Sequence, residues 1–205
     1  MSKPVGTRNK DFEAKRRALL SKLTDYALNA DLRRPSLRQL AAAAGASEPT
    51  LRHYFSDRKG VVLAILEEIG RRGADIWSLI SLPSETVERA VGEYFEISEA
   101  GMRHGGFVRA HAFGIIEGVA DTDTGQAYLK FVLNPALEAI EQKMAVTPGA
   151  PTDATSKKAA ALAVLSPILV LSLHQDLLGG QSIDPLDTES LLKNMRTLLV
   201  SGLSN

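Results

Sequence analysis

The chain has 205 residues, an apolar fraction of 44% and no cysteine. This length accommodates one large domain, or a small domain joined to a larger one, and the apolar fraction suffices for a buried core. The absence of cysteine excludes disulfides, thiolate zinc sites and cysteine nucleophiles, and it fits a reducing compartment.

Charge is unevenly distributed along the chain. Residues 1–60 contain 13 Lys and Arg against 6 Asp and Glu, whereas residues 61–205 contain 11 against 18. The net charge of zero therefore hides a basic N-terminal part and an acidic remainder. A basic unit favours a phosphate-bearing partner, either nucleic acid or an anionic membrane, and the acidic remainder would repel both.

The sequence shows no targeting or membrane-spanning segment. The N-terminal residues lack an apolar run of signal-peptide type. The longest apolar run, residues 159–173, is shorter than the roughly 20 residues of a membrane span and contains Pro167. We therefore expect a cytoplasmic protein with no membrane partner.

Apolar residues recur at helical spacing almost throughout the chain, without a convincing run of period-two alternation. This pattern predicts an all-α protein. Pro135 should kink or divide the seventh helix, and residues 147–156 have the composition of a loop. The predicted helices cover residues 11–30, 36–44, 48–55, 57–77, 83–102, 107–119, 124–144, 159–178 and 188–203.

The second and third predicted helices begin with strong capping signals. Ser36 precedes Gln39 by three residues, which is the pattern of a capping box. Ser47 offers an N-cap for the third helix, with Pro49 in the first turn, where a missing N–H costs little. Only a short turn containing Gly45 separates the two helices, and this spacing is typical of a helix-turn-helix.

The third predicted helix has an inward and an outward face. Leu51 and Phe55 are four residues apart and can pack inward, which leaves polar side chains pointing outward. A recognition helix presents such side chains to base edges in the major groove, where Arg52 suits guanine O6 and N7. The residues expected to contact DNA, at bases or phosphates, are Ser36, Arg38, Ser47, Glu48, Pro49, Thr50, Arg52, His53, Tyr54, Arg58 and Lys59.

Some of these assignments have alternatives. Glu48 and Arg52 are four residues apart and could pair with each other on a solvated face. Tyr54 could belong mainly to the core. The basic residues between positions 3 and 10 could form an arm in the minor groove, or a solvated terminus.

The segment PSLRQLAAAAGASEPTLRHYFSDRKGVV, residues 35–62, resembles the TetR (tetracycline-repressor-like) family of bacterial transcriptional regulators. Arg52 departs from the aromatic residue common at its position, and Arg58 stands where lysine is usual. Beyond residue 70 the likeness is architectural only. The matching positions are Leu40, Ala41, Gly45, Ser47, Thr50, Leu51, Tyr54, Phe55 and Arg58.

The resemblance implies a helix-turn-helix DNA-binding domain over residues 1–58 and a helical effector-binding and dimerisation domain over residues 59–205. It implies a homodimer whose recognition helices address successive major grooves of a near-palindromic, double-stranded DNA operator. It also implies a pocket for a small-molecule effector among the fourth to eighth helices. On this basis we expect a repressor that a small apolar or amphipathic ligand releases from its operator.

The composition of the last two predicted helices favours the dimer. Residues 159–178 are apolar nearly all round, and residues 188–203 carry one apolar stripe. Together with their copies they would form an intermolecular four-helix bundle. The alternative is that they close only the core of their own subunit.

The sixth predicted helix gives faint support for an effector pocket. Gly114 and Gly118 share a face with Phe107 and His111, and glycine inside a helix costs about 1 kcal/mol relative to alanine. Close helix packing or space for a ligand could compensate, and His111 could equally be a core histidine. The candidate ligand-binding residues are Trp77, Phe95, Met102, Phe107, His111, Tyr128, Phe131 and His174.

No arrangement of residues indicates catalysis. The chain has four histidines, and the pair seven residues apart, His104 and His111, spans a Gly-Gly break and lacks a carboxylate at metal-ligand spacing. We therefore expect no enzyme activity, no metal and no cofactor. Two alternatives to the regulator remain. One is a helical ligand-binding or protein-interaction module without specific DNA binding, and the other is a DNA-binding protein without an effector.

Overall fold

The computed structural model describes residues 5–29, 34–103 and 106–203, without the side chains of residues 5–9, 102, 103 and 107. Within these ranges the chain forms helices and turns and no strand, which confirms the predicted all-α class. The helices are α1 (Val5–Asn29), α2 (Leu37–Ala44), α3 (Glu48–Phe55), α4 (Arg58–Ile80), α5 (Val87–Arg103), α6 (Gly106–Ala120), α7 (Thr122–Tyr128), α8 (Asn134–Val146), α9 (Ala154–Ser172), α10 (Gly180–Ile183) and α11 (Thr188–Leu203).

Helix starts differ from the predictions where a cap lies elsewhere. α5 begins at Val87 and not at residue 83, because the Thr86 hydroxyl accepts a hydrogen bond from the Arg89 amide. α9 begins five residues before its predicted start, because the Asp153 carboxylate accepts from the Ser156 amide. The short helix α10 was not predicted.

The predicted division near Pro135 takes the form of a π-helical turn. Leu129–Leu133 forms this turn between α7 and α8, and Pro135 lies in the first turn of α8. Proline has no N–H to donate to the preceding turn, and a π-helical turn is one way for a helix to accommodate such a break. A second π-helical turn, Leu173–Leu177, extends α9.

Two clusters of buried apolar side chains hold the helices together. The first packs α1, α2 and α3 against the first half of α4, and Phe113 of α6 and Tyr128 of α7 join it. The second packs α5, α8, α9 and α11 together near Ile80. The first cluster crosses the predicted domain boundary after residue 58, so the division into two domains stays a prediction.

The glycines of α6 allow close helix packing. A Cβ atom on Gly114 would lie 2.1 Å from Cδ2 of Tyr128, and one on Gly118 would lie 2.8 Å from the Cα of Gly125. Both positions are therefore occupied by the neighbouring helix α7. Of the two explanations for these glycines, close packing fits the structure.

Within the described residues, one segment is long and apolar enough to cross a membrane by length and composition. It covers Ala154–Leu177, 24 residues, and extends beyond the apolar run of residues 159–173 at both ends. The core helix of a soluble protein passes the same test, and Ala161, Val164 and Ile168 are fully buried in the second core cluster.

Candidate nucleic-acid interface

The turn between α2 and α3 has the geometry that its sequence predicts. Ser36 and Gln39 form a reciprocal capping box at the start of α2. Gly45 ends α2 with a φ of 66°, a left-handed conformation that favours glycine. The Ser47 hydroxyl then accepts from the Thr50 amide and caps α3. These local bonds fix the orientation of α3 relative to α2.

Helix α3 is anchored by two apolar side chains and exposes polar ones. Leu51 and Phe55 are buried in the first core cluster. Arg52 and His53 are exposed, as is Pro49 at the start of the helix. The division into an inward and an outward face follows the prediction, and it leaves the guanidinium and imidazole facing solvent.

The other polar residues of α3 are half-buried. Thr50 shares a hydrogen bond of 2.8 Å between its hydroxyl and that of Ser47. Glu48 is half-buried, and among the described residues no ion pair joins it to Arg52. The alternative that these two residues pair with each other is therefore not what the structure contains.

An aromatic cluster connects α3 to α1. The Phe12 ring lies 4.7 Å from the Tyr54 ring and 5.5 Å from the His53 ring, measured between centroids. Tyr54 is half-buried and packs against the first core cluster. Tyr54 therefore belongs partly to the core, and its contact with DNA stays a prediction.

Arg58 faces a buried carboxylate on α6. Its guanidinium donates to Glu117 at 3.1 and 2.5 Å and to the Pro35 carbonyl at 2.7 Å. Arg34 reaches the same carboxylate at 3.2 Å, and the Glu117 side chain is only 2% exposed. Arg58 was predicted to contact a DNA phosphate, but in the structure its guanidinium donates hydrogen bonds to Glu117 and Pro35.

Lys59, the next residue, also pairs with the C-terminal part of the chain. Its ammonium lies 3.3 Å from Asp121 Oδ2 and hydrogen-bonds Asp123. The hydrogen bond that Lys59 donates to the Asp123 carboxylate raises the pKa of Lys59, because it favours the charged ammonium. Three cations near the start of α2 and α4 therefore meet three carboxylates between residues 117 and 123.

A groove of about 440 Å³ opens between these charges and the helix-turn-helix. It brings together the N-cap of α2, a side chain of α3 and the pairs at the start of α4. Its lining residues are Arg34, Ser36, Leu37, Arg52, Asp57, Arg58, Lys59, Asp121 and Thr124. Arg38 is exposed on the first turn of α2.

The carboxylates at positions 117, 121 and 123 were missed as partners of the basic residues. They lie 59 or more residues along the chain from Arg58 and Lys59, so no local pattern links them. The one available signal is the change of sign between residues 1–60 and the remainder, because opposite charges on two parts of one chain can meet across their junction.

The candidate ligand-binding residues whose side chains the structure describes do not line the groove beside the helix-turn-helix. Phe95, His111 and Tyr128 are buried, whereas Trp77 and others are half-buried. His111 Nδ1 and the Tyr128 hydroxyl are 2.8 Å apart, and burial lowers the pKa of His111 to about 4. Phe131 and His174 are also half-buried, and the side chains of Met102 and Phe107 lie outside the described part.

Comparison with known proteins identifies the fold. No protein-family model and no curated protein sequence matches the chain. Among solved structures, a TetR-family transcriptional regulator from Rhodococcus sp. is similar with a TM-score of 0.64 and 15% identity, over 94% of this chain and 100% of that one. A TetR-family regulator from Mesorhizobium loti gives 0.62 and 15%, over 93% and 95%.

A third solved structure extends the comparison. The fatty acid degradation regulator FadR from Bacillus halodurans is similar with a TM-score of 0.52 and 17% identity, over 91% of this chain and 94% of that one. The chain therefore has the fold of the TetR-family transcriptional regulators, as the resemblance of residues 35–62 predicted.

Proposed function

We propose that this protein is a TetR-type, sequence-specific DNA-binding transcriptional regulator and not an enzyme. The observation that carries the proposal is the surface of α3. Arg52 and His53 face solvent on a short helix whose opposite side is fixed in the core by Leu51 and Phe55. A helix held rigidly with its donors exposed is suited to enter the major groove.

The basic N-terminal part supports this proposal. Residues 1–60 carry 13 Lys and Arg against 6 Asp and Glu, which favours a phosphate backbone as partner. Arg38 on α2 is exposed beside the N-cap Ser36, where helix N-termini commonly meet phosphate. Phosphate contacts of this kind fix the register, and Arg52 would supply the sequence discrimination.

We propose a homodimer formed by α9 and α11. In the single chain, large apolar side chains of these helices face solvent, including Val170 at 61% and Leu198 at 73% exposure. Leu162 of α9 is exposed as well. A second copy would bury these side chains in a four-helix bundle and place two recognition helices on one duplex.

The regulation that we propose is repression relieved by a small apolar or amphipathic effector, in the cytoplasm. α6 supports such regulation, because it connects the interior to the helix-turn-helix. It carries the buried His111, and its Glu117 accepts a hydrogen bond from Arg58 at the start of α4. The Ser172 hydroxyl of α9 is buried without a hydrogen-bond partner in the described part of the chain, so a ligand could satisfy it. Since one similar protein regulates fatty acid degradation, acyl compounds form a sensible first test set.

The experiment that tests the proposal is selection from a pool of random DNA duplexes at two salt concentrations, followed by sequencing of the retained DNA. We expect an inverted repeat whose binding weakens steeply with salt. Recovery of no enriched sequence, with only weak salt-sensitive binding, would contradict the regulator. The remaining candidate would then be the interaction module without specific DNA binding.

A further inference from the structure

Two neighbouring cations at the start of α4 have contrasting environments. Arg58 makes three hydrogen bonds and pairs with a Glu117 side chain that is only 2% exposed. Lys59 is 39% exposed, and its partners Asp121 and Asp123 are also open to solvent. The two ion pairs therefore differ in how easily an external anion can replace the carboxylate.

The strength of each pair decides which one can exchange. Removing Arg58 from Glu117 would leave an uncompensated buried charge, which is strongly unfavourable. An exposed pair such as that of Lys59 contributes little free energy and weakens further with salt. A phosphate can thus displace Asp121 and Asp123 from Lys59, whereas Arg58 stays with Glu117.

The position of Lys59 brings it within the region where DNA would approach. Lys59 and Asp121 line the same groove as Ser36 at the N-terminus of α2 and Arg52 of α3. A backbone phosphate placed near that helix N-terminus would lie beside the Lys59 ammonium. The phosphate would attract the Lys59 ammonium and repel the carboxylates of Asp121 and Asp123. Its approach would therefore weaken the internal ion pairs in two ways.

We propose that Lys59 exchanges its internal partners Asp121 and Asp123 for a DNA phosphate, so that these aspartates act as a built-in competitor that lowers the affinity for DNA. This inference rests on the proposed DNA-binding function. The competition involves only the phosphate backbone, so it lowers the affinity for every sequence alike and leaves the preferred sequence unchanged.

The test removes the competitor while preserving the helix. Asp121 caps α7 by accepting from the Thr124 amide and hydroxyl, and asparagine is an equally good N-cap. For the double variant Asp121→Asn/Asp123→Asn we expect roughly two- to tenfold tighter binding, to the selected duplex and to an unrelated duplex alike, since exposed ion pairs contribute little free energy each. The measurement is a fluorescence-anisotropy titration at several salt concentrations between 50 and 300 mM.

A second pair of variants separates Lys59 from a general charge effect. In a Lys59→Gln background the two asparagine substitutions should tighten binding by clearly less, because they then remove only the direct repulsion between the aspartates and the phosphate and no longer free an ammonium. The slope of log binding constant against log salt concentration should also be shallower for the triple variant than for Asp121→Asn/Asp123→Asn. The expected difference is about 0.9, the value for one phosphate contact. As a control, Glu67→Gln/Asp75→Asn removes the same charge from the exposed side of α4, at least about 12 Å along the helix from Lys59.

The outcomes distinguish this inference from the proposed function. If the wild type binds no DNA, both fail. If the wild type binds its selected duplex and Asp121→Asn/Asp123→Asn does not tighten binding, only the competition is overturned. An equal gain in the Lys59→Gln background, or in Glu67→Gln/Asp75→Asn, would also overturn it, because the effect would then be the net charge and not the pair.

Discussion

At the scale of single residues, Arg52 is the side chain for which the proposed function makes the sharpest prediction. It is exposed on α3 and lines the groove beside Ser36 and Lys59. A bidentate contact from arginine to guanine contributes about 1–3 kcal/mol of discrimination against the wrong base. Arg52→Ala should therefore reduce the preference for the selected duplex over one with that base changed by this amount, in competition binding.

Arg38→Ala serves as the comparison for Arg52→Ala. Arg38 is exposed at the start of α2, where we propose a phosphate contact. Its loss should weaken binding to both duplexes equally and reduce the salt slope by about 1. If Arg52→Ala behaves in this uniform way as well, Arg52 contacts a phosphate and another residue reads the bases.

Glu93 gives a prediction about stability and pH. It accepts hydrogen bonds from Lys143 and Ser84, both at 2.6 Å, and from Arg89 at 3.0 Å. The hydrogen bond from Lys143 is the largest cause that lowers the pKa of Glu93 from 4.5 to about 2. Lys143 is only 3% exposed, so the carboxylate neutralises an ammonium that is otherwise buried.

We expect Glu93→Gln to lower the free energy of unfolding at pH 7 by about 1–3 kcal/mol, because the buried Lys143 ammonium then has only neutral acceptors, such as the Leu82 carbonyl, and no carboxylate to neutralise it. A carboxylate with a lowered pKa stabilises the fold above its unfolded pKa, and this stabilisation disappears as the pH falls toward 2. The difference between wild type and Glu93→Gln, measured by urea denaturation, should therefore shrink between pH 4.5 and 2. A constant difference over that range would contradict the role of the charge.

At the scale of elements, features encoded by neighbouring residues were predictable and long-range pairings were not. The capping box of Ser36 and the N-cap of Ser47 depend on residues three positions apart, so the start of α2 and the bounds of α3 followed from the sequence. The Glu117–Arg58 pair joins residues 59 positions apart. Its formation depends on how α6 packs against α4, which no local pattern encodes.

The packing of α6 against α7 leads to a prediction at Gly114. Alanine in a helix interior gains about 1 kcal/mol over glycine, but its Cβ would lie 2.1 Å from the Tyr128 ring. That ring is buried and hydrogen-bonded to His111, so it cannot move aside cheaply. Overpacking of this kind costs about 1–3 kcal/mol, so Gly114→Ala should destabilise the protein in chemical denaturation.

A double-mutant cycle identifies the cause of the Gly114→Ala effect. Alanine at position 128 lacks the Cγ, Cδ2 and Cε2 atoms of tyrosine that lie beside Gly114. Gly114→Ala should therefore cost less in a Tyr128→Ala background than in the wild type. If the cost is the same in both backgrounds, the destabilisation arises from the helix itself and not from contact with α7.

At the scale of the whole molecule, charge connects the helix-turn-helix to the rest of the chain. Arg58 joins the Glu117 carboxylate of α6 to the Pro35 carbonyl just before α2, so a displacement of α6 would act directly on the start of two helices. Part of the positive charge of residues 1–60 is thus paired inside the molecule with Glu117, Asp121 and Asp123. The basic side chains that stay exposed are left for the proposed DNA contact.

The proposed dimer provides the prediction for the assembled molecule. Val170 of α9 is 61% exposed in the single chain, so glutamate at this position should be tolerated by the subunit itself. In a four-helix bundle with a second copy the same position would be buried, and an unpaired carboxylate there is costly. Val170→Glu should therefore convert a dimer into a monomer in size-exclusion chromatography with light scattering, while the far-UV circular dichroism spectrum stays helical.

Ile76→Glu is the matched control, because Ile76 is also a large exposed apolar residue, at 51%, but lies on α4. It should remain dimeric. Val170→Glu should in addition lose most of its affinity for the selected inverted repeat, since a single recognition helix gives up the gain from binding two half-sites on one duplex. A wild type that is monomeric at micromolar concentration would show instead that α9 and α11 close only their own subunit, and DNA binding would then have to be explained by one helix-turn-helix.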